Sequence, residues 1–263
     1  MKSLSIYLTF IGILLFIICP AQETLISNWQ DANHTEIASL VSSDYQYDKN
    51  SKIYYHISNN TEKLFIHLKV EDQTTQQKLI RFGLTTWIDI SGKNKKKQGV
   101  KFPQGTRNNR NESSTRGRSP NASGGGNNAL KMSIENMSKD IELINLGAEK
   151  GKRTVAVNND ENIITELLLT DSNHLLFALE IPLEQLGKNL TEAETNLSIN
   201  IETGFMVPPA QQSTNTGRAS GRMSRTGSRG GGSARLGQGN QASSPFSTPS
   251  RLRIKQIQLV QKN

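Results

Sequence analysis

The stretch that decides the fold runs from Lys52 to Ile90 and reads KIYYHISNNTEKLFIHLKVEDQTTQQKLIRFGLTTWIDI. Lys52–Ser58 and Lys63–Glu71 are rich in aromatic and β-branched residues, which fit a pleated, half-buried surface. Asn59-Asn60-Thr61-Glu62 lies between them and supplies turn-forming side chains, so the two segments read as a hairpin. Leu64, Ile66, Leu68 and Val70 alternate with Phe65, His67 and Lys69. One face of that strand is expected in the core, and the other is mixed. Tyr54 and Tyr55 are neighbours in one strand and point to opposite faces, so one is expected inside and one outside. Thr74–Phe82 places Leu79, Ile80 and Phe82 among polar residues, a short helix ended by Gly83. Leu84–Ile90 returns to strand, with Leu84, Thr86 and Ile88 on one face and Thr85, Trp87 and Asp89 on the other.

The same pattern continues outward. Gly99–Phe102, Asp140–Leu146, Thr154–Asn158, Ile163–Leu169, Leu175–Ile181, Leu197–Val207 and Leu252–Val260 are further strand candidates, and Pro182–Leu186 suits a short helix. Roughly ten closely spaced strands with little helix predict an all-β fold. The expected architecture is an antiparallel β-sandwich, jelly-roll-like, with one or two short helices and long disordered loops. Two stretches stand apart: residues 104–129 and 210–248 are dominated by Gly, Ser, Asn, Thr and Arg. They hold too little apolar surface to offset the entropy of ordering, so both read as disordered. Strand-like sequence flanks each, which makes them excursions from a single domain over 22–263 rather than linkers between two.

Residues 1–21 read as a secretory signal peptide: Lys2, an apolar run from Ile6 to Ile18, then Cys19-Pro20-Ala21 before Gln22. The run is shorter than the roughly 20 residues that span a bilayer. No later segment is apolar enough to span either. Ile18 before Cys19 argues against lipidation there, and favours cleavage after Ala21. Cys19 is the single cysteine among the 263 residues. The expected mature chain therefore has no disulfide, thiol nucleophile or cysteine metal site, and packing must hold it together. An exported location follows: periplasmic, outer-membrane-associated or secreted.

The net charge of +8 is uneven. Five lysines fall between Lys93 and Lys101. Residues 104–129 carry four arginines against one glutamate, and 210–248 carry five arginines and no acid. The remaining body is acidic, while its turn, insert and tail are basic, a block pattern that attracts oppositely charged partners or keeps loops solvated.

Leu64–Asp72, the strand ending Trp87-Ile88-Asp89, the segment Ser27-Asn28-Trp29 and the late strand Phe177–Leu183 together resemble carbohydrate-binding module family 9 and the related DOMON-like exported bacterial sandwiches. The resemblance covers residues 25–103 and 139–207. It implies a β-sandwich that binds a ligand, often a sugar or a small cofactor. The Arg/Gly-rich segments depart from that family, and neither a full set of ligand-contacting aromatics nor a haem ligand pair can be matched.

Trp87 and Trp29 are the first candidates for ligand contact, because the apolar face of a sugar ring stacks on an indole. The plainer alternative places both in the core. Tyr54 and Tyr55, with Tyr45 and Tyr47 nearby, are the second group. Asp89-Ile90-Ser91-Gly92 suits a tight turn in which the carboxylate accepts backbone N–H groups, and its spacing matches no calcium loop. His34, His56, His67 and His174 show no metal-ligand spacing, although His56 and His67 fall in strands expected to pair. Nucleophile elbows, zinc-protease, phosphate-loop and dinucleotide motifs are missing. Gly217-Arg218, Gly221-Arg222 and Arg229-Gly230 resemble RNA-binding tails, but Phe246 is their single aromatic, so nucleic acid is disfavoured. The expectation is an exported, non-catalytic module without cofactor or metal, binding a glycan or envelope polymer. The alternative is a periplasmic or surface component whose basic loops meet an acidic partner, and an enzyme of unknown class ranks behind both.

Overall fold

The computed structural model describes residues 24–31, 44–105, 127–147, 149–157, 159–187, 190, 196–206 and 244–260. Residues 1–21, read as a signal peptide and holding Cys19, and the interiors of the two Gly/Arg-rich stretches lie outside the described residues. Within the described chain the strands are β1 (Leu25–Ile26), β2 (Asn28–Trp29), β3 (Gln46–Asp48), β4 (Ile53–Asn59) and β5 (Lys63–Val70), followed by helix α1 (Gln73–Phe82). Then come β6 (Leu84–Asp89), β7 (Gln98–Lys101), α2 (Asn127–Glu135), β8 (Ile141–Ile144), β9 (Lys152–Val155), β10 (Ile164–Leu169) and β11 (Leu175–Pro182). The one-turn helix α3 (Leu183–Leu186), β12 (Asn196–Thr203) and β13 (Arg251–Gln258) complete the set.

Two sheets form the sandwich. The seven-stranded sheet has the order β1-β13-β12-β6-β7-β8-β9, and the six-stranded sheet has the order β10-β11-β5-β4-β2 with β3 also on β4. The alternation read in the sequence sets the facing layers. Ile53, Ile57, Leu64, Ile66 and Leu68 from one sheet meet Leu84, Ile88, Val100, Leu143, Ile199 and Ile254 from the other in one continuous core. Each such side chain, fully buried, contributes about 2 kcal/mol of transfer free energy before entropy is set against it. The all-β sandwich expected from the sequence is the fold observed.

Three local features depart from the expectation. The sheets are mixed rather than purely antiparallel, because β1 runs parallel to β13 and β2 parallel to β4. The chain passes from one sheet to the other within Ile26–Asn28, so each short strand joins the nearest free edge in whatever direction it already runs. A third helix, α2, begins inside the stretch read as disordered. Its Leu130 and Ile134 lie four residues apart and rest partly buried on the core, which secures one helical face. At the far end, Phe246 packs against Phe82 with ring centroids 6.2 Å apart, so that stretch is also shorter than its composition suggests.

The link α1 forms as its sequence requires. Asp72 caps it, its carboxylate accepting from Thr75 N–H and Thr75 Oγ1, both at 2.9 Å. Gly83 ends it at φ 87°, where an added Cβ would lie 2.5 Å from the Pro103 carbonyl, so glycine is required both by conformation and by space. Gln76, buried on the helix, donates to the carbonyls of Val70 at 2.8 Å and Asn173 at 2.7 Å, tying α1 to the six-stranded sheet.

One polar knot clasps the two sheets at their N-terminal edge. Ser27 crosses between them, donating its N–H to Gln258 O at 3.0 Å and its hydroxyl to Asn59 Oδ1. Asn59 Nδ2 donates to Val260 O at 2.9 Å, and Val260 N–H donates back to Asn59 Oδ1 at 3.0 Å. Buried amides are costly unless paired in this way, so the knot fixes where β2 leaves the sandwich.

Candidate functional site

The site starts from a break in a sheet edge. Strands β3 and β2 pair with the same edge of β4, β3 at Ile53–Tyr55 and β2 at Ser58–Asn59. His56 and Ile57 fall between them, and no described strand pairs with that edge there. A groove of about 540 Å3 occupies the break, lined by Asn28, Trp29, Gln30, Asp44, His56 and Ser58. Its volume lies within the range of about 300–1,000 Å3 typical of small-ligand sites. The lining joins a tryptophan to residues that carry amides, a carboxylate, a hydroxyl and an imidazole.

Internal hydrogen bonds hold these groups in place. Trp29 Nε1 donates to Asp31 Oδ1 at 2.8 Å, which fixes the indole. Ser58 Oγ donates to Gln30 Oε1 at 2.8 Å. The His56 ring lies with Nδ1 3.5 Å from both Asn28 Nδ2 and the Asp44 carbonyl.

An aromatic and imidazole ladder continues from the groove across the outer side of the six-stranded sheet. His56 faces His67 directly across β4 and β5, with ring centroids 6.1 Å apart and planes within 11°. Tyr45 lies 6.1 Å from His56, and Phe65 lies 6.4 Å from His67. Tyr47 and Tyr54 pair at 4.5 Å, and Lys69 Nζ sits 4.5 Å from the Tyr54 ring centroid. This side is more closed than the mixed pattern of β5 suggests. Phe65 and His67 are buried there, as are Ala178 and Glu180 of the neighbouring β11, with Lys63 Nζ 3.0 Å from Glu180.

Burial dominates the electrostatics of the ladder. It lowers the His67 pKa to about 4, assisted by the repulsion that a charged His56 would exert. His67 Nδ1 is buried and has no hydrogen-bond partner. Burial also pushes the Tyr45 phenol up to about 12. Near neutral pH, His67 and Tyr45 therefore present uncharged rings beside the groove.

The structure separates the four residues singled out in the sequence. Trp29 lines the groove, and Tyr54 stands on the ladder beside it. Tyr55 turns inward against the core and donates its hydroxyl to Gln46 Oε1 at 2.7 Å, so it does not reach the groove. Trp87 is on the other sheet, half-buried on the outer face with Thr85 and Asp89 as its spacing predicts. Asp89 serves its turn. Burial by itself would raise its pKa, but bonds from Lys95 N–H, Ser91 Oγ and Ser91 N–H outweigh that and hold it below the usual carboxylate value. No cluster of three metal-ligating side chains occurs among the described residues.

Sequence reasoning did not assemble Asp44, His56, Asn28 and Gln30 into one place. The one available signal was the alternate spacing of Tyr45 and Tyr47 opposite Tyr54 and His56, which marks a third strand. The break in the edge depends on where the two-residue β2 lands, and two residues carry no period to read. No protein-family model matches the chain, and no curated protein and no solved structure matches it.

Proposed function

We propose that the chain is an exported, non-catalytic binding module whose groove at Trp29 and His56 takes an uncharged glycan of the cell envelope. The observation that carries this reading is the groove's composition: a tryptophan among its lining residues, together with amide, hydroxyl, carboxylate and imidazole groups. A sugar ring needs that pairing, an aromatic plane for its C–H face and directional polar groups for its hydroxyls. The tyrosines of the adjoining ladder extend the surface along a longer chain. Asp44 is the one carboxylate among the described lining residues, whereas glycoside cleavage ordinarily uses two facing carboxyl groups. Export rests on the leader read at residues 1–21, and the likeness to carbohydrate-binding module family 9 agrees in class of ligand.

Calorimetric titration with a panel of neutral polysaccharides tests the proposal. Binding should persist at high salt and fall at least about tenfold in Trp29→Ala and in His56→Ala, a loss of about 1.4 kcal/mol. Binding unchanged in both variants would assign the glycan to another surface.

A further inference from the structure

The outer face of the seven-stranded sheet carries a second surface of different chemistry. Its register places Arg251, Glu202, Thr85, Lys101, Glu142 and Thr154 in one row across six strands. The next row contains Arg253, Asn200, Trp87, Gly99, Ile144 and Lys152. Trp87 thus stands in the middle of the sheet. Its six-membered ring lies over Gly99, where an added Cβ would come within 3.0 Å of Cε3.

Two cation pairs flank the indole. Lys96 Nζ and Arg251 Nε share the Glu202 carboxylate at 2.5 and 2.9 Å. Lys101 Nζ and Lys152 Nζ share Glu142 at 3.5 and 3.4 Å. Each carboxylate balances one of its two cations, which leaves surplus positive charge on both sides of Trp87. Three strand spacings separate the pairs, about 14 Å.

The lysine run joins this face in a fixed position. Lys95 N–H is held by Asp89 Oδ2 at 2.7 Å, Asn94 N–H by Ser198 Oγ at 3.0 Å, and the Lys97 carbonyl by Asn145 Nδ2 at 2.7 Å. Among the described residues no salt bridge holds Lys97 or Arg253, and all three of Lys95, Lys97 and Arg253 are exposed, Lys95 beside Asp89. The backbone anchoring removes part of the ordering cost that a flexible basic loop would meet on binding.

We propose that this face, centred on Trp87 between the Lys96–Arg251 and Lys101–Lys152 pairs, binds an acidic polysaccharide, one sugar ring resting on the indole and its carboxylates on the flanking cations. Charge complementarity argues for a polyanion. The single aromatic set between cations argues for a charged sugar, because single-stranded nucleic acid is gripped by successive stacked bases and needs several aromatic platforms. A lipid surface would be met by an apolar wedge, and the exposed large apolar residues Ile26, Tyr47, Ile90, Met132 and Phe205 are not on these rows.

The test uses the purified chain carrying Trp29→Phe, so that Trp87 is the sole indole reporter. Polygalacturonate is titrated at low and high ionic strength, with dextran as the neutral control. The proposal expects a saturable change in Trp87 emission with polygalacturonate and none with dextran. High salt should weaken it steeply, because the attraction is screened. Lys101→Gln with Lys152→Gln, exposed or half-exposed surface changes checked for folding by circular dichroism, should weaken it at least about tenfold. Binding without a change in Trp87 emission would overturn the proposal and assign the polyanion to the basic segments. So would an equal response to dextran, full affinity in the double lysine variant, or tighter binding of a single-stranded oligonucleotide or of phosphatidylglycerol vesicles.

Discussion

Replacing His67 by phenylalanine should flatten the acid side of the stability profile. In the folded chain the imidazole stays neutral to about pH 4, because burial and the neighbouring His56 oppose its charge. In the unfolded chain it takes a proton at the ordinary value of 6.5. Between those two values the unfolded state binds more protons than the folded one, so stability falls as pH drops from 6.5 to about 4 and is fully present above 6.5. The interval, at about 1.4 kcal/mol per unit, corresponds to roughly 3 kcal/mol. Asp72 and Asp89 also favour the folded state through depressed pKa values, with the opposite sign. Their stabilisation is present above their ordinary value of 3.8 and is lost only below it, outside this window. Phenylalanine keeps a flat ring, somewhat larger than imidazole, and removes a buried nitrogen that lacks a partner. Stability near pH 7 should therefore hold or rise by about 1 kcal/mol. Urea unfolding of both chains at a series of pH values from about 7 to about 4.5 measures this directly. Parallel loss of stability in the two chains, or a His67 resonance titrating at its ordinary value, would refute the reasoning.

Three further outcomes are expected. Asn59→Ala opens the knot joining Ser27, Asn59 and Val260 and leaves buried donors and acceptors unpaired, so denaturant unfolding should show a loss of about 2–3 kcal/mol. Gly99→Ala sets a methyl 2.8 Å from the Thr86 carbonyl and 3.0 Å from Trp87, so the indole must lift, with a cost of about 1–3 kcal/mol and a red-shifted emission. Asp72→Ala removes the cap of α1 and the 2.7 Å pair with Lys52, and should lower stability by about 1–2 kcal/mol in the same unfolding assay.

The strands were legible wherever they were long enough to show a period. β5 alternates Leu64, Ile66, Leu68 and Val70 with Phe65, His67 and Lys69, β11 is a mostly apolar run buried on both faces, and β6 divides Thr85, Trp87 and Asp89 from Leu84, Thr86 and Ile88 as read. Gly83 announced the end of helix α1, whereas its start at Gln73, capped by Asp72, lies one residue before the Thr74 read from the sequence. What stayed hidden was set by geometry between segments far apart in the chain. β1 and β2, two residues each, exist because Ser27 meets Asn59 and Gln258. The groove exists because β2 and β3 meet β4 end to end without closing over His56. Composition misled at Asn127–Ala129, where paired asparagines after three glycines mask a helix start that Leu130 and Ile134 secure. The run of five lysines is largely exposed, and its backbone is pinned by Asp89, Ser198 and Asn145, partners that its own sequence does not name.

The most direct test of glycan recognition at the broken edge of β4 is one calorimetric series. Neutral polysaccharides are titrated into the native chain, Trp29→Ala and Trp87→Ala, each at low and high salt. The account predicts salt-resistant binding that is lost in Trp29→Ala and retained in Trp87→Ala. Absence of neutral-glycan binding, or loss confined to Trp87→Ala, would contradict it.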